Sequence, residues 1–387
     1  MTEPKVSPIA ARAAGCPFDP APALYEALED DELRRCPVPS PMGEFEAVVV
    51  TRYQDARAVL GSDQLRMGGA MPFQPGNLMS YDGEEHTRLR RRLTGSFTTK
   101  RARELRPMIE GVVADVLDGL EKAGPGSDLV AHFSMPIPTQ VICALLGVPY
   151  EDREEFQRRT EAVLDVNSTF EQQMRAVAEV NAYMGVLVAR HREEPGDDLL
   201  GGIVREHGAE LTDDELAGVG NMLLIAGHET ISSTLAASVA LLLRHSDQLA
   251  IVRDEPDAID GAVEELLRFC APATILPRKA AGEIQVRDRV IDEGEFVVVS
   301  ALAANRDLES GEDLDRLDVR RPLLGHLAFG FGPHQCLGRQ LARMELRVAL
   351  PALLNRFPEL RTAVPADEVD YRTSALVFGV NSLPVTW

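Results

Sequence analysis

The stretch from Thr212 to about His245 constrains the fold more than any other part of the chain. It opens with Thr212-Asp213-Asp214-Glu215, in which the threonine can cap the first turn and the glutamate can reach back to the threonine N–H. No proline follows until Pro256, so the spacing predicts one helix of roughly 50 Å, long enough to cross a whole domain. A membrane span is excluded because Ala226-Gly227-His228-Glu229-Thr230 puts ionisable groups at its midpoint. Small Ala226 and Gly227 would let a ligand lie against the backbone, and Thr230 can bond back to a carbonyl and widen the helix locally. A zinc site at His228-Glu229 fails, because a metalloprotease helix needs a second histidine where this chain has Ser232. The alternative is an ordinary amphipathic helix with Glu229 and Thr230 solvated on one face.

A second feature gives that helix a purpose. The run Phe329-Gly330-Phe331-Gly332-Pro333-His334-Gln335-Cys336-Leu337-Gly338 places one thiol in a loop with three glycines, which can approach a planar ligand closely and take φ > 0. A helix pattern rich in arginine starts near Leu337, so Cys336 would sit at a helix N-terminus, where the dipole favours thiolate. Taken alone, Cys336 can also be read as a small buried hydrophobe beside a turn. The ten residues, however, resemble the axial-ligand signature of the heme-thiolate monooxygenases, the cytochrome P450 family, at every fixed position. A proximal thiolate of that kind pushes electron density onto iron and favours O–O cleavage.

Further motifs extend the resemblance over nearly the whole chain, which looks like a soluble bacterial, actinomycete-like member. Ala226-Gly227-His228-Glu229-Thr230 is similar to the family's oxygen-activation motif, which implies catalytic roles for Glu229 and Thr230 in proton delivery and close approach of Ala226 and Gly227 to the cofactor. His86 and Arg90 lie at i and i+4, one helix face able to grip an anion; the resemblance implies that they hold heme propionates together with Arg278 and His334. Phe329, Gly330, Cys336 and Gly338 would form the rest of the heme contact, with Cys336 as the iron ligand. Glu265 and Arg268, three residues apart, read as a surface ion pair by themselves. By resemblance they are a buried structural pair supporting the cysteine loop, with Arg316 as its third member. The path of residues 305–322 is open, since Asn305-Arg306-Asp307 continues with Leu308 and Glu309 where relatives usually have proline.

The implied fold is a mainly α cytochrome P450 fold with a small β region, fed by strands at Ala47 to Thr51 and Phe296 to Ser300, as one domain over residues 1–387. Composition agrees: 45% hydrophobic residues suffice for a large core, and no linker or repeat interrupts it. A net charge of −21 argues against nucleic acid as a partner. Residues 88 to 106 nevertheless carry eight basic groups against Glu104, a patch on which an acidic protein could dock. The cysteines at 16, 36, 143, 270 and 336 form no C-x-x-C pair, and their odd number suits a reducing compartment. Met1 to Pro20 has no apolar core of a signal peptide. A cytoplasmic monomer without membrane anchorage is expected.

No flavin or nicotinamide domain is expected beyond Trp387, and Gly330-x-Gly332 lacks the context of a dinucleotide fingerprint. Electrons are therefore expected to pass from NAD(P)H through a reductase and a small acidic ferredoxin, docked at Arg91, Arg92, Arg101, Arg339 or Arg343. Heme b (iron protoporphyrin IX) would be the cofactor and dioxygen the co-substrate. By resemblance the pocket is lined by Met71, Phe73 and Met79 in the loop from Met67, by Ile225 and Ala226, by Thr274 and Ile275, and by Val377. This apolar set with flexible methionines suits a hydrophobic small molecule, such as a polyketide, terpenoid or peptide of secondary metabolism. Hydroxylation and epoxidation are both open. A non-catalytic heme sensor or carrier is the alternative, although it would have no use for Glu229 and Thr230. A peroxide-driven enzyme would replace that pair with arginine and proline.

Overall fold

The computed structural model describes residues 11–387, except 14, 31–32, 41–42, 68–72, 150–151, 153–154, 156–157, 160–169, 288, 323–324 and 374–376. Seven helices matter for the site: α1 (Gly83–Thr94), α2 (Thr99–Ala123), α3 (Pro136–Leu145), α4 (Phe170–Glu193), α5 (Asp213–Arg244), α6 (Ile259–Cys270) and α7 (Arg339–Arg356).

Helix α5 is the expected central element, 32 residues in one unbroken α-helix. Its capping box is complete: Thr212 Oγ1 accepts from the Glu215 N–H at 3.1 Å, and Glu215 Oε2 accepts from the Thr212 N–H at 3.0 Å. From Ile231 to Leu242 every residue is buried, because α3, α4, α6 and α7 surround it. Leu235, Leu241 and Leu242 have no exposed surface at all, and each such side chain contributes about 1.5–3 kcal/mol of burial free energy. Among the described residues no single helix is long and apolar enough to cross a membrane; α5 passes only jointly with Ser246–Asp254, across a 115° bend.

The β region is a five-stranded sheet of β1 (Arg35–Ser40), β2 (Gly43–Val50), β3 (Leu65–Arg66), β4 (Ile275–Ala280) and β5 (Phe296–Ser300), in the order β1-β2-β5-β4-β3. β2 and β5 pair in parallel, with Ala47 opposite Phe296 and Val50 opposite Val299. The N-terminal strand thus starts before Ala47 and stops at Val50; Thr51 is buried and its hydroxyl donates to the Ala27 carbonyl instead. Near the C-terminus a hairpin of β6 (Asp370–Arg372) and β7 (Gly379–Ser382) lies against α5.

Candidate heme and oxygen-activation site

The cysteine loop is closed by its own backbone. The Cys336 N–H donates to the Phe329 carbonyl at 2.9 Å, Gly330 N–H to Leu327 O at 2.9 Å and Gln335 N–H to Gly332 O at 3.0 Å. Gly330 and Gly332 have φ of +65° and +74°, the left-handed region open to glycine. Gly338 does not: its φ is −79°, and it caps α7, which begins three residues after the cysteine and not at Leu337. A Cβ on Gly332 would collide with the Leu60 carbonyl, whereas one on Gly330 or Gly338 would meet nothing within 4 Å. Those two glycines border free space.

Cys336 is exposed, and the rest of its loop from Phe329 to Gly338 is half-buried apart from exposed Pro333. Burial pushes the thiol up from its usual range, against the Gly338 N–H and the cations Arg339, Arg90 and Arg343, which favour thiolate. The helix terminus favours thiolate as the sequence implies, against the larger effect of burial. A directly bonded cation such as iron would favour the thiolate further.

Beside the loop lies a group of basic side chains with unsatisfied donors. His86 and Arg90 share one face of α1; the His86 and His334 ring centroids are 4.2 Å apart, and His334 Nε2 is 2.9 Å from Asp82 Oδ1. Arg90 Nη2 donates to the Gln335 carbonyl at 2.6 Å, tying α1 to the cysteine loop. Burial, together with the neighbouring His334 and Arg90 charges, pushes His86 down to about 4, so it is neutral at pH 7. Arg278, on β4, is 4% exposed and lowered by burial to about 10, still a cation. His86 Nε2 and Arg278 Nε are buried without a hydrogen-bond partner. Buried orphan donors are costly, and two carboxylates arriving with a planar ligand would satisfy them. The residues present fit a heme with its propionates here.

Mid-way along α5 the burial reverses. Ile225, 41% exposed, and Ala226 are open although Leu224 and His228 beside them are buried, so this stretch faces a hollow. The Thr230 hydroxyl donates to the Ala226 carbonyl at 2.7 Å and Thr234 to the Thr230 carbonyl at 2.6 Å. The back-bond expected from the sequence is present, yet the helix stays α and does not widen. Gly227 faces Ile142, whose Cδ1 would lie 3.8 Å from an added Cβ. Glu229 Oε1 is 3.3 Å from Arg372 Nη1.

Behind the cysteine loop, Glu265 and Arg268 on α6 form a buried two-pronged pair at 2.8 and 2.9 Å. Burial alone would raise Glu265; Arg268, the Asp318 N–H and Arg321 hold it below the usual range. The third member is Arg321, whose Nε is 3.3 Å from Glu265 Oε1, and not Arg316. Arg316 is exposed and only its carbonyl takes part, accepting from Arg321 at 2.9 Å. Asp313, in the same segment, has φ +51°, and its carbonyl accepts from Arg321 Nη2 at 2.8 Å. Sequence reasoning also missed Asn305: its Oδ1 accepts from Leu327 N–H at 2.8 Å, its Nδ2 donates to Arg268 O at 3.1 Å, and its carbonyl accepts from Arg268 Nη1 at 2.7 Å. Its place in Asn305-Arg306-Asp307 was the available signal. All three are buried, with the Arg306 guanidinium 3.4 Å from the Phe269 ring centroid.

The pocket residues fare unevenly. Phe73 is 65% exposed, its ring edge-on to Tyr81 at 5.2 Å; Met79 is half-buried and Val377 pairs with Ala273. Thr274 is buried, with Oγ1 3.5 Å from Arg12 Nη2, and Ile275 packs among Val38, Ala47, Val49 and Val298 of the sheet. Neither leaves appreciable surface open to a ligand, because the strand alternation commits Ile275 to the sheet core. Met71 lies outside the described residues.

A helical body crossed by one capped helix, with a lone cysteine in a glycine loop and orphaned donors beside it, defines a protein that binds heme through sulfur. The chain belongs to the cytochrome P450 family, whose model matches residues 39–195 and 196–364. It is 41% identical to cytochrome P450-SU2 of Streptomyces griseolus, covering 98% of this chain and 96% of that one. It is 40% identical to pentalenic acid synthase of Streptomyces avermitilis over the full length of both. Among solved structures, P450 StaH from glycopeptide antibiotic biosynthesis superposes with a TM-score of 0.90 at 38% identity, covering 99% of this chain and 100% of that one. The chain is accordingly a P450 monooxygenase, an oxidoreductase of mainly helical fold, and its family implies heme-thiolate chemistry.

Proposed function

We propose that this monooxygenase takes two electrons from a separate ferredoxin, supplied by NAD(P)H through a reductase, and inserts one atom of dioxygen into a hydrophobic secondary metabolite. Substrate, dioxygen, two electrons and two protons give hydroxylated or epoxidised product and one water. The observation that carries this reading is the exposed Cys336 in a loop tied by Arg90 to a helix whose His86 has an unsatisfied buried nitrogen. Heme b, when bound, supplies dioxygen activation; this chain's residues supply the rest. Cys336 is the iron ligand. His86, Arg90, Arg278 and His334 hold the propionates, and Phe329, Gly330, Gly338, Ala226 and Gly227 border the ring.

On the other side, Thr230 offers a hydroxyl at the helix opening and Glu229 a carboxylate that can pass protons inward from water. Ile225, Phe73, Met79 and Val377 present apolar surface to a substrate held mainly by packing. The names of relatives such as pentalenic acid synthase and nocardicin C N-oxygenase support a secondary-metabolite substrate. Ferredoxin docking draws on the exposed Arg91 together with Arg101 and Arg339. Arg343 contributes little, being bound by two nitrogens to Glu264 at 2.6 Å, and Arg92 is paired with Glu210. The protein is proposed to work in the cytoplasm as a single-domain monomer, in keeping with five free cysteines.

The first test is the absorption spectrum of the reduced protein with carbon monoxide. A Soret band at the long wavelength of thiolate-ligated heme is expected; a band at the imidazole position, or no heme absorption, overturns the proposal. Difference spectra with a panel of polyketides, terpenoids and peptides then test the substrate class. Thr230→Ala should release several-fold more peroxide per NAD(P)H.

A further inference from the structure

One guanidinium joins the C-terminal hairpin to two successive turns of α5. Arg372 Nη1 lies 3.3 Å from Glu229 Oε1, and Nη2 donates to Ser233 Oγ at 2.6 Å. Arg372 ends β6 and stands opposite Gly379 of β7. A Cβ at Gly379 would fall 2.8 Å from Ser233 Oγ and 3.0 Å from Arg372 Nη2, so the hairpin reaches the helix this closely only with glycine there. The two side chains are 21% and 30% exposed, which leaves the pair partly shielded from water. The segment joining β6 to β7 carries Val377, one of the residues proposed to contact substrate.

Neighbouring positions on an α-helix point about 100° apart. With Glu229 drawn to the hairpin and the Thr230 hydroxyl turned onto the Ala226 carbonyl, the carboxylate and hydroxyl are aimed differently. The direction in which Glu229 points is therefore set from outside α5. We infer that Arg372 is a positioning residue for Glu229, holding the carboxylate at the hairpin side of α5 so that proton delivery toward Thr230 is registered to the substrate-contacting hairpin. Arginine suits the task because its planar fork meets a carboxylate and a hydroxyl at once, which a lysine cannot do with the same geometry. The inference rests on the proposed proton-relay role of Glu229 and Thr230.

Dioxygen reduction in the absence of organic substrate reads this role without knowledge of the natural ligand. When protons are not delivered in register, one dioxygen takes two electrons from one NADPH and, with two protons in all, leaves as hydrogen peroxide. When they are, one dioxygen takes four electrons from two NADPH and four protons and leaves as two waters. The NADPH-to-dioxygen ratio thus moves between one and two. The holoenzyme, supplied by a plant-type ferredoxin, its reductase and NADPH, should in the Arg372→Gln variant shift toward one, with roughly threefold to tenfold more peroxide per NADPH. Arg372→Lys should recover part of the loss. In the Glu229→Gln background, Arg372→Gln should add nothing further, and the two substitutions should be non-additive in urea unfolding as well, as expected of groups in contact.

An unchanged ratio in Arg372→Gln, or full additivity with Glu229→Gln, overturns the inference. The carbon monoxide spectrum and Thr230→Ala separate this failure from that of the functional reading. A thiolate spectrum with peroxide release from Thr230→Ala but none from Arg372→Gln rejects the positioning role alone.

Discussion

The two sides of the proposed heme site are built on opposite terms. Behind the cysteine loop, Glu265, Arg268 and Asn305 are buried and joined by side-chain bonds of 2.7 to 3.1 Å to one another and to the loop. On the α5 side, Ile225 and Phe73 are open, and among the described residues the Thr230 hydroxyl bonds within its own helix. A buried polar network is costly unless complete, so it tolerates little change; open apolar surface can be re-lined at small cost. The difference teaches that the buried network behind the cysteine loop tolerates little change, while the open apolar part of the α5 side, Ile225 and Phe73, is free to vary.

Substitutions can test that contrast, beginning with the most severe. Cys336→Ser removes the sulfur ligand, and the thiolate Soret band of the carbon monoxide complex should vanish, since a hydroxyl is a far poorer donor to iron. Glu265→Leu leaves Arg268 buried and unpaired, which should cost about 3–5 kcal/mol in urea unfolding or abolish heme retention. Asn305→Ala strands the Leu327 N–H, at a cost of about 1–3 kcal/mol. A loss below about 0.5 kcal/mol in either would break the proposed asymmetry.

Milder effects belong to buried titratable groups. His228 is pushed down to about 4 by burial and neither ring nitrogen has a partner. Between pH 6.5 and 4 the unfolded chain binds a proton there that the folded chain does not, so stability present above pH 6.5 is lost as pH falls. His228→Leu should flatten that acid limb without loss at pH 7. Glu345, pushed up to about 8 by burial, acts with the opposite sign: its contribution is full below about pH 4.5 and lost as pH rises through 8. Glu345→Gln should flatten the alkaline limb. Phe73→Ala should change stability by no more than about 0.5 kcal/mol and act instead on substrate affinity, measured by difference spectra.

Motifs whose spacing lies within one element were legible in the sequence. The α5 capping box, the pairing of Glu265 with Arg268 and the His86–Arg90 face each depend on helical geometry, which three or four residues determine; that the Glu265–Arg268 pair is buried was implied only by the family resemblance, since spacing alone reads as a surface pair. What escaped depended on how separate segments meet. Arg316 and Arg321 sit five residues apart in an irregular stretch, and only the folded path shows that Arg321 is the one that reaches Glu265 while bonding the Glu312 and Asp313 carbonyls. Thr274 and Ile275 follow from a strand register with β5, where Ile275 faces Ser300. Arg343 looked free for docking because its partner, Glu264, lies 79 positions earlier.

Asn305 has a kinetic consequence. Its side chain accepts from Leu327 N–H at the start of the cysteine loop while its amide and carbonyl bond Arg268 on α6, so displacing Asn305 loosens both segments together. The Leu327 amide proton should therefore exchange slowly with solvent deuterium, and faster in Asn305→Ala, where that bond and the tie to α6 are lost together.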